Sequence, residues 1–369
     1  MRILVTGGAG FIGSHLVRAL VARGDDVVVL DKLEPQVHGC VEPDLPPSVE
    51  VIVGDVGDVA LADRALAGAD AVVHLAAAVG VGQSMYAIAR YTELNTMATA
   101  RFLERVVAQR PMPTRLVVAS SMSIYGEGEY VCREHGSVAP GPRGEEQLVA
   151  RTWEVACPIC RSELRGVGTR EDKELIPTSI YAITKRDHEE MCLVTGAAYG
   201  IPTVALRFFN VYGPGQALSN PYTGVAAIFA SRLLNGRPPV IFEDGAQSRD
   251  FTHVSDIVSG ILLALHSGAA PGHAINLGTG RPTTVAEVAE ALSSGMGLDI
   301  EPVRNGQYRA GDIRHCFADA TRAQELLGFE AKVEFDAGTA ELAEWLRDQE
   351  AVDRVDDATR ELAARGLTR

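Results

Sequence analysis

The stretch RILVTGGAGFIG, residues 2–13, decides the fold of this chain. Its apolar first half predicts a short buried strand, and the glycines predict a turn into an amphipathic helix, SHLVRALVARG at 14–24. Gly7 permits the tight turn, Gly10 lets a pyrophosphate approach the backbone, and Gly13 allows the helix to pack closely on the strand. The stretch therefore predicts a dinucleotide-binding turn, with an ordinary tight βα turn as the alternative.

Asp31 ends the next apolar run, DVVVLD at 26–31. A carboxylate in that place accepts hydrogen bonds from the ribose of adenosine and repels the 2′-phosphate of NADP. The unpaired N–H groups at the start of the preceding helix suit a pyrophosphate. Together, the glycine turn and Asp31 predict NAD as the cofactor.

Further apolar runs continue the alternation of strand and helix: VEVIVGD (49–55), ADAVVHLAA (69–77), RLVVASS (115–121) and PTVALRFFNVYG (202–213). Uninterrupted apolar strands in repeated β-α units predict an α/β fold, a Rossmann-type doubly wound parallel sheet with helices on both faces. Shorter strands beyond residue 214 predict a smaller C-terminal substrate domain.

The expected division has four parts. They are an NAD-binding domain at 1–210, an insertion within it at 127–178, a substrate domain at 211–350 that is partly interleaved with the first, and a charged C-terminal tail at 351–369. The insertion is rich in glycine, proline and charge and shows neither a helical nor a strand pattern. The tail is expected to form a surface helix or a frayed end.

Composition narrows the class of protein. The 369 residues are 46% hydrophobic and 22% charged, which is typical of a globular chain. The formal net charge of −14 argues against nucleic-acid and membrane-surface partners, since both are polyanionic. With no signal-peptide pattern and no long apolar run, we expect a cytoplasmic protein with reduced thiols.

Two motifs indicate proton-transfer chemistry: SSMSIYG at 120–126 and YAITK at 181–185. Tyr181 and Lys185 are four residues apart, so they share one face of the helix predicted for 179–199. A free phenol titrates at about 10, and a nearby ammonium and a positively charged nicotinamide ring would both lower that pKa. Ser121 ends a parallel strand, where such sheets place their ligands. We interpret these three residues as catalytic; a surface amphipathic pair is the alternative for Tyr181 and Lys185.

The order of these motifs resembles the extended short-chain dehydrogenase/reductase family. The resemblance also rests on HLAA (74–77), LRFFNVYGP (206–214) and SRDFTHVSD (248–256), and it spans most of residues 1–345. Within the family, the chain is similar to NAD-dependent nucleotide-sugar epimerases and dehydratases. The resemblance implies tightly bound NAD that is recycled in each turnover, a nucleoside-diphosphate sugar (a dTDP- or UDP-hexose) in the C-terminal domain, and a homodimer formed through the helices at 91–109 and 179–199.

Individual site residues follow from the motifs and the resemblance. The predicted cofactor-binding residues are Gly7, Gly10, Phe11, Ile12, Gly13, Asp31, Asp55, Val56, Leu75, Ala76, Ala77, Asn95, Tyr181 and Lys185. The predicted substrate-binding residues are Ser121, Ser123, Asn210, Arg249, Arg309 and Asp312. The arginines suit a diphosphate because a guanidinium binds it in a bidentate manner. A solvated salt bridge is the alternative for each arginine.

One comparison within the family separates the reaction types. Its 4,6-dehydratases carry an Asp-Glu pair just after the active-site Ser or Thr, to supply acid and base for the loss of water. Here those positions hold Met122 and Ser123, which cannot do so. We therefore expect a 4-epimerase that works through a transient 4-keto sugar; a nucleotide-sugar reductase, decarboxylase or 4,6-dehydratase is the alternative.

Two cysteine motifs interrupt the family pattern. Cys132-x-x-His135 and Cys157-x-x-Cys160 are pairs with the two-residue spacer that wraps a metal ion, and 21 residues lie between them. Thiolate and imidazole ligands predict a structural zinc that staples the insertion. Unrelated free cysteines, or a redox pair, are the alternatives. The stapled insertion is similar to that of a subgroup of epimerases, the dTDP-L-rhamnose 4-epimerases. Cys40, Cys192 and Cys316 are expected to be ordinary single cysteines.

Overall fold

The computed structural model describes residues 1–39, 43–309 and 311–369. Its strands are β1 Arg2–Thr6, β2 Asp26–Asp31, β3 Glu50–Val53, β4 Ala71–His74, β5 Arg115–Ser121, β6 Glu129–Cys132, β7 Gly136–Val138, β8 Arg165–Val167, β9 Thr203–Phe208, β10 Asn210–Tyr212, β11 Val240–Ile241, β12 Ser248–His253, β13 Ala274–Leu277, β14 Pro282–Thr284, β15 Val303–Arg304 and β16 His315–Cys316. Its α-helices are α1 Phe11–Ala22, α2 Pro35–His38, α3 Val59–Leu66, α4 Val81–Ser84, α5 Ile88–Tyr91, α6 Ala98–Ala108, α7 Glu145–Val149, α8 Ile180–Tyr199, α9 Val225–Leu234, α10 Val254–His266, α11 Val285–Gly295, α12 Thr321–Leu327, α13 Phe335–Leu346 and α14 Val355–Ala364. A π-helix, Thr92–Met97, joins α5 to α6, and a 3₁₀ turn, Met122–Tyr125, follows β5.

The centre of the fold is a seven-stranded parallel sheet in the order β13-β9-β5-β4-β1-β2-β3. Successive residues of β1 point to opposite faces: Ile3 and Val5 join the core beneath α1 and α10, whereas Leu4 joins the core beneath α3, α6 and α8. The predicted Rossmann-type α/β fold is confirmed. Strand β13 comes from beyond residue 270, so the second half of the chain completes the sheet.

The helix predicted for 179–199 is α8, and local chemistry sets both of its ends. The Ser179 hydroxyl caps the helix by accepting a 3.1 Å hydrogen bond from the N–H of Ala182. Gly200 ends the helix in the left-handed conformation, with φ 71°. This helix lies against β5 and β9, so it brings the residues of its first turns to the carboxyl end of β5.

A smaller second part of the chain packs around α9, α11 and α13. Its apolar cluster includes Phe229, Leu292 and Leu342, one from each of these helices. Strand β12 pairs with β10, β14 and β16, and this small sheet carries the segments that face the cleft described below.

The insertion has more regular structure than its sequence predicts. Strands β7, β6 and β8 form a three-stranded antiparallel sheet, and α7 follows β7. The expectation that residues 127–178 lack helix and strand is therefore wrong. These strands are only three or four residues long, too short for an alternating pattern to emerge.

Two further observations concern membrane-spanning helices and the single cysteines. Among helices in the described part of the chain, none combines the length and apolar character needed to cross a membrane. Cys192 and Cys316 are buried single cysteines, as expected, whereas Cys40 lies outside the described residues.

Candidate active site

A cleft of about 590 Å³ runs along the carboxyl ends of the parallel strands. Such edges are where doubly wound sheets place their ligands. Most of the predicted site residues line this cleft: Gly7, Gly10, Phe11, Ile12, Gly13, Asp31, Asp55, Val56, Leu75, Ala76, Ala77, Ser121, Ser123, Tyr181, Lys185, Asn210, Arg309 and Asp312.

The glycine turn has the tight geometry that its sequence predicts. Gly7 has φ 68°, and a Cβ on it would lie 2.8 Å from the backbone N of Ala76. A Cβ on Gly13 would lie 2.2 Å from the carbonyl oxygen of Gly7, so only glycine lets α1 start this close to the turn. Gly10 is the N-cap of α1 and contributes no side chain, which leaves the first N–H groups of the helix facing the cleft.

Asp31 holds the glycine turn from the end of β2. Its carboxylate accepts hydrogen bonds from the N–H groups of Ala9 (3.0 Å) and Leu33 (2.9 Å). The side chain is buried beside the cleft, with 8% of its surface exposed. The residue therefore fixes the loop and also presents carboxylate oxygens at the place where a ribose is expected.

Asn95 is the predicted cofactor residue that does not reach the cleft. Its side-chain oxygen accepts from the N–H of Ala78 (2.7 Å), and its amide donates to the carbonyl of Ala78 (3.0 Å) and the hydroxyl of Thr184 (2.9 Å). These hydrogen bonds hold the loop after β4 against α8. The buried Asn95 side chain therefore supports the wall of the cleft from behind.

The three predicted catalytic residues converge where β5 ends against α8. The Ser121 hydroxyl accepts hydrogen bonds from the N–H of Ser123 (3.2 Å) and its hydroxyl (2.9 Å). Lys185 donates to the carbonyl oxygen of Ala119 in β5. The backbone N–H of Tyr181 donates to the Ser84 hydroxyl (3.0 Å), which secures the start of α8.

Burial dominates the electrostatics of this group. It raises the pKa of Tyr181 to about 12, and the hydrogen bond with the Ser121 side chain only partly opposes it. Burial also lowers the pKa of Lys185 to about 8. The protein residues alone therefore hold the phenol in its neutral form, whereas the sequence predicts that the lysine and a positively charged nicotinamide ring both lower its pKa. The reason is that burial of the phenol outweighs the hydrogen bond with the Ser121 side chain.

Three of the described residues that line the cleft have a buried polar atom without a partner, and one of them is Gln216, through its side-chain oxygen. The other two are predicted substrate-binding residues: the side-chain oxygen of Asn210 and the Nε of Arg309. The Arg309 guanidinium lies 4.3 Å from the centre of the Phe242 ring, and burial lowers its pKa. Buried polar atoms without a protein partner are rare, and in a cleft they are available to bind a ligand.

Arg249 does not line the cleft. Its guanidinium donates to the carbonyls of Ile313 and Arg314 (3.0 Å for the latter) and to the Asp312 carboxylate (3.2 Å). It therefore supports the segment that carries Asp312, with 12% of its side chain exposed.

Sequence reasoning missed one wall of the cleft. Five residues near the C-terminus line it: Val355, Ala358, Thr359, Leu362 and Leu367. The first four recur at i, i+3, i+4 and i+7, which is the pattern of an amphipathic helix. That signal was present, but the charges of the tail obscured it.

The Cys/His motifs of the insertion meet in one cluster. The four ligand atoms of Cys132, His135, Cys157 and Cys160 lie within 4.8 Å of one another. Cys132 Sγ is 3.5 Å from His135 Nδ1 and 3.6 Å from Cys160 Sγ, and Cys157 Sγ is 3.7 Å from His135 Nδ1. A tetrahedral zinc with Zn–S of about 2.3 Å separates its ligand atoms by about 3.5–3.8 Å. These three distances match those between the ligands of a tetrahedral zinc, and all four atoms lie close enough together to share one ion.

Comparisons with known proteins agree with this geometry. Residues 3–144 and 162–278 match the NAD dependent epimerase/dehydratase family, and the break falls inside the insertion. A dTDP-L-rhamnose 4-epimerase from Burkholderia thailandensis is 34% identical over 351 residues, with 94% of each chain covered.

Two solved structures share the fold over nearly their whole length. UDP-glucose 4-epimerase from Thermotoga maritima, solved with UDP-glucose, has a TM-score of 0.77 and 30% identity. UDP-glucuronic acid 4-epimerase from Bacillus cereus, solved with UDP-glucuronic acid and NAD, has a TM-score of 0.76 and 26% identity. Each match covers 94% of this chain and 99% of the other. The predictions of family and of an NAD-dependent epimerase are confirmed: the chain belongs to the NAD dependent epimerase/dehydratase family.

Proposed function

We propose that the chain is a nucleotide-sugar 4-epimerase that acts on a dTDP- or UDP-hexose with Tyr181 as the base. The observation that carries the proposal is the single cleft that joins the glycine turn, Tyr181 and the unpartnered polar atoms of Asn210 and Arg309. One end suits a dinucleotide and the other an anionic sugar nucleotide, with the proton-transfer group between them.

NAD fits the first end of the cleft. The N–H groups at the start of α1, from Phe11 onward, would meet the pyrophosphate, and Asp31 would accept the ribose hydroxyls. When bound, NAD supplies the hydride acceptor and donor, and its positive charge opposes the effect of burial on Tyr181.

The residues of this chain transfer the proton of the sugar 4-hydroxyl. Tyr181, as phenolate, takes the proton of the sugar 4-hydroxyl as the C4 hydrogen leaves with its electron pair, which forms a 4-keto sugar. Ser121 holds the same oxygen through its hydroxyl. After the ketose turns over, Tyr181 returns the proton as the other face of C4 is reduced. The electrons balance, so no external reductant is consumed.

The sugar diphosphate occupies the second end in this proposal. Arg309 supplies a guanidinium for the phosphates, and Asn210 supplies an amide beside them. Asp312 lies next to Arg309 and would accept a hydrogen bond from the nucleoside ribose. Arg249 acts on the substrate through Asp312, whose carboxylate it holds.

We also propose that the Cys/His cluster binds a structural zinc. Three thiolates and one imidazole would complete a tetrahedron, which leaves no open position for catalysis. Around the cluster, Tyr130, Val155 and Leu164 form a small apolar core of their own. So small a core needs a further constraint to stay folded, and a metal provides one.

The stapled insertion would support the substrate end of the cleft. Glu154 accepts hydrogen bonds from the Arg314 guanidinium (2.9 Å from Nε) and pairs with His315 at 3.1 Å. These contacts, led by the one with His315, lower the pKa of Glu154 to about 2. Arg143 donates to the carbonyl oxygen of Asp312 at 3.1 Å. The insertion thereby holds the segment that carries Asp312.

We propose a homodimer that forms through exposed apolar side chains of α8 and the π-helix. Ile183 and Val194 of α8 and Met97 of the π-helix are between 43% and 68% exposed. Large apolar side chains that are exposed on neighbouring helices are typical of an interface. Light scattering should give twice the chain mass, and Val194→Glu should reduce it, whereas Val149→Glu, on the exposed insertion, should not.

The test of the main proposal is turnover without added cofactor. Protein as purified is mixed with UDP-, dTDP- and GDP-hexoses, and the products are followed by NMR. A 4-epimerase converts its substrate to the C4 epimer and consumes no NAD(P)H. Stoichiometric consumption of NAD(P)H, or a stable 4-keto-6-deoxy product, would instead support the reductase or dehydratase alternative.

A further inference from the structure

The C-terminal segment, residues 352–369, forms one wall of the cleft. Ala358 and Leu362 of α14 are 8% and 6% exposed, although this helix lies at the outer surface of the protein. Both side chains face the cleft, and Leu367 joins them after the helix ends. A terminal tail without a role would not bury these side chains against the active-site cleft.

Ion pairs and backbone hydrogen bonds fasten both ends of the segment. Near its start, Asp356 accepts a 2.6 Å hydrogen bond from the buried guanidinium of Arg232 in α9. At its end, the N–H of Tyr308 donates to the carbonyl of Arg369 (2.8 Å), and the N–H of Arg369 donates to the carbonyl of Tyr308 (3.0 Å). Thr368 forms an antiparallel bridge with Arg309 itself. The chain terminus is thus paired with the residue proposed to hold the phosphates.

Between these ends, the segment contacts loops from both sides of the cleft. A Cβ built on Gly82 would lie 3.3 Å from a methyl carbon of Leu362, so this leucine packs on the backbone after β4. The Arg365 guanidinium lies 4.3 Å from the centre of the Tyr86 ring, and the Tyr86 hydroxyl is 2.8 Å from that of Tyr222. The N–H of Val352 also donates to the Ser219 hydroxyl (3.0 Å), so the segment bridges the loop beside Tyr181 and the loop before α9.

We infer that the C-terminal segment is a substrate-binding element of this enzyme. It presents Leu362 and Leu367 to the nucleotide sugar and fixes the backbone of Arg309. Its cleft-lining residues carry no charge, and the Thr359 hydroxyl donates to the carbonyl of Val355 within the helix (2.8 Å). This surface therefore offers apolar contact and no partner for a carboxylate. The inference rests on the proposed nucleotide-sugar function.

Two full-length variants test the segment, Leu362→Ala and Leu367→Ala. Loss of apolar contact with a bound substrate should raise KM for the nucleotide sugar roughly tenfold. The kcat value should stay within about threefold and the bound NAD unchanged, because neither side chain touches the proton-transfer group. Leu362→Met should restore KM, since it conserves volume.

The matched control is Leu346→Ala, because Leu346 is fully buried in α13 and does not line the cleft. It should lower thermal stability at least as much and leave KM unchanged. The inference is overturned if both cleft variants keep the original KM, or if Leu346→Ala raises KM equally. Failure of the unaltered enzyme to convert any sugar would instead refute the proposed function. In that case, calorimetry with UDP and dTDP tests the segment: weaker binding to the two cleft variants than to the unaltered protein would support it, and equal binding would overturn it.

Discussion

Arg143 of the insertion donates two hydrogen bonds of 2.8 Å to the carboxylate of Glu243 in the second part of the chain. Both side chains are 1% exposed, so the pair is removed from water. The same guanidinium also reaches the carbonyl of Asp312. Of the described ion pairs that join the insertion to the second part of the chain, this one is the most deeply buried.

Removing one partner of this pair should be costly. Arg143→Met leaves the Glu243 carboxylate buried with only the Arg314 contact at 3.2 Å, and it should lower the free energy of unfolding by about 3–5 kcal/mol. Arg143→Lys should recover part of this, since an ammonium cannot form the bidentate contact. Urea unfolding measures both.

The control is Arg186→Met, which breaks an exposed pair with Glu190 on α8. Exposed pairs contribute about 0–1 kcal/mol, so its unfolding midpoint should hardly move. Equal midpoints for Arg143→Met and Arg186→Met would show that the buried pair does not hold the insertion in place.

Tyr181→Phe should strongly reduce turnover and leave the fold intact. The variant removes the only hydroxyl proposed to move the proton, and general base catalysis is worth about 10²–10⁴-fold in kcat. NAD should remain bound, because the glycine turn and Asp31 are untouched. Initial rates and the NAD released on denaturation measure the two effects.

Tyr199→Phe is the matched control, since Tyr199 ends the same helix and is 53% exposed. It should keep full activity. A Tyr181→Phe enzyme that turns over normally would show that another group is the base.

Zinc should be present at about one ion per chain in protein purified without chelator. Cys157→Ser should lose the metal and lower the thermal midpoint, because the small core of the insertion depends on the staple. Bound NAD should stay unchanged, since the cofactor end lies on the sheet. Elemental analysis and thermal unfolding give these values, and Cys192→Ala, outside the cluster, is the control for metal content. Less than about half an equivalent of zinc in the unaltered protein would refute the proposed structural zinc.

The features that were predictable from sequence are those encoded locally. The turn with Gly7 and Gly13 was predictable because only glycine fits its φ angle and close contacts. The buried strands were predictable because the apolar runs on a two-sided sheet are uninterrupted. Tyr181 and Lys185 followed from helical spacing.

The remainder depends on contacts between distant parts of the chain. No local signal shows that Arg249 turns toward Asp312, or that Asn95 holds Ala78 rather than a ligand. The strands of the insertion are too short for a pattern, and they form because strand pairing and the Tyr130 core act together. Likewise, only the tertiary structure shows that α14 packs on the cleft.

Acid should destabilise the protein through His74 and His188. The two rings are stacked, 5.3 Å apart, and share the hydroxyl of Thr99 at 3.0 and 2.8 Å. Burial, together with the charge of Lys185, lowers the pKa of His74 to about 3 and that of His188 well below its usual value. In the unfolded chain both titrate at about 6.5.

The direction in which the free energy of unfolding changes with pH follows from these pKa values. Between about pH 6.5 and pH 3 the unfolded chain binds protons that the folded chain excludes, so the free energy of unfolding falls as the pH falls. Each histidine contributes up to about 1.4 kcal/mol per pH unit, and nothing is lost above pH 7.

His74→Asn should therefore flatten the slope by one proton when urea unfolding is measured at pH 7.5, 6 and 5. His273→Asn, at an exposed position, should leave the slope unchanged. If His74→Asn had the same slope as the unaltered protein, the buried histidines would not be the source of the acid sensitivity.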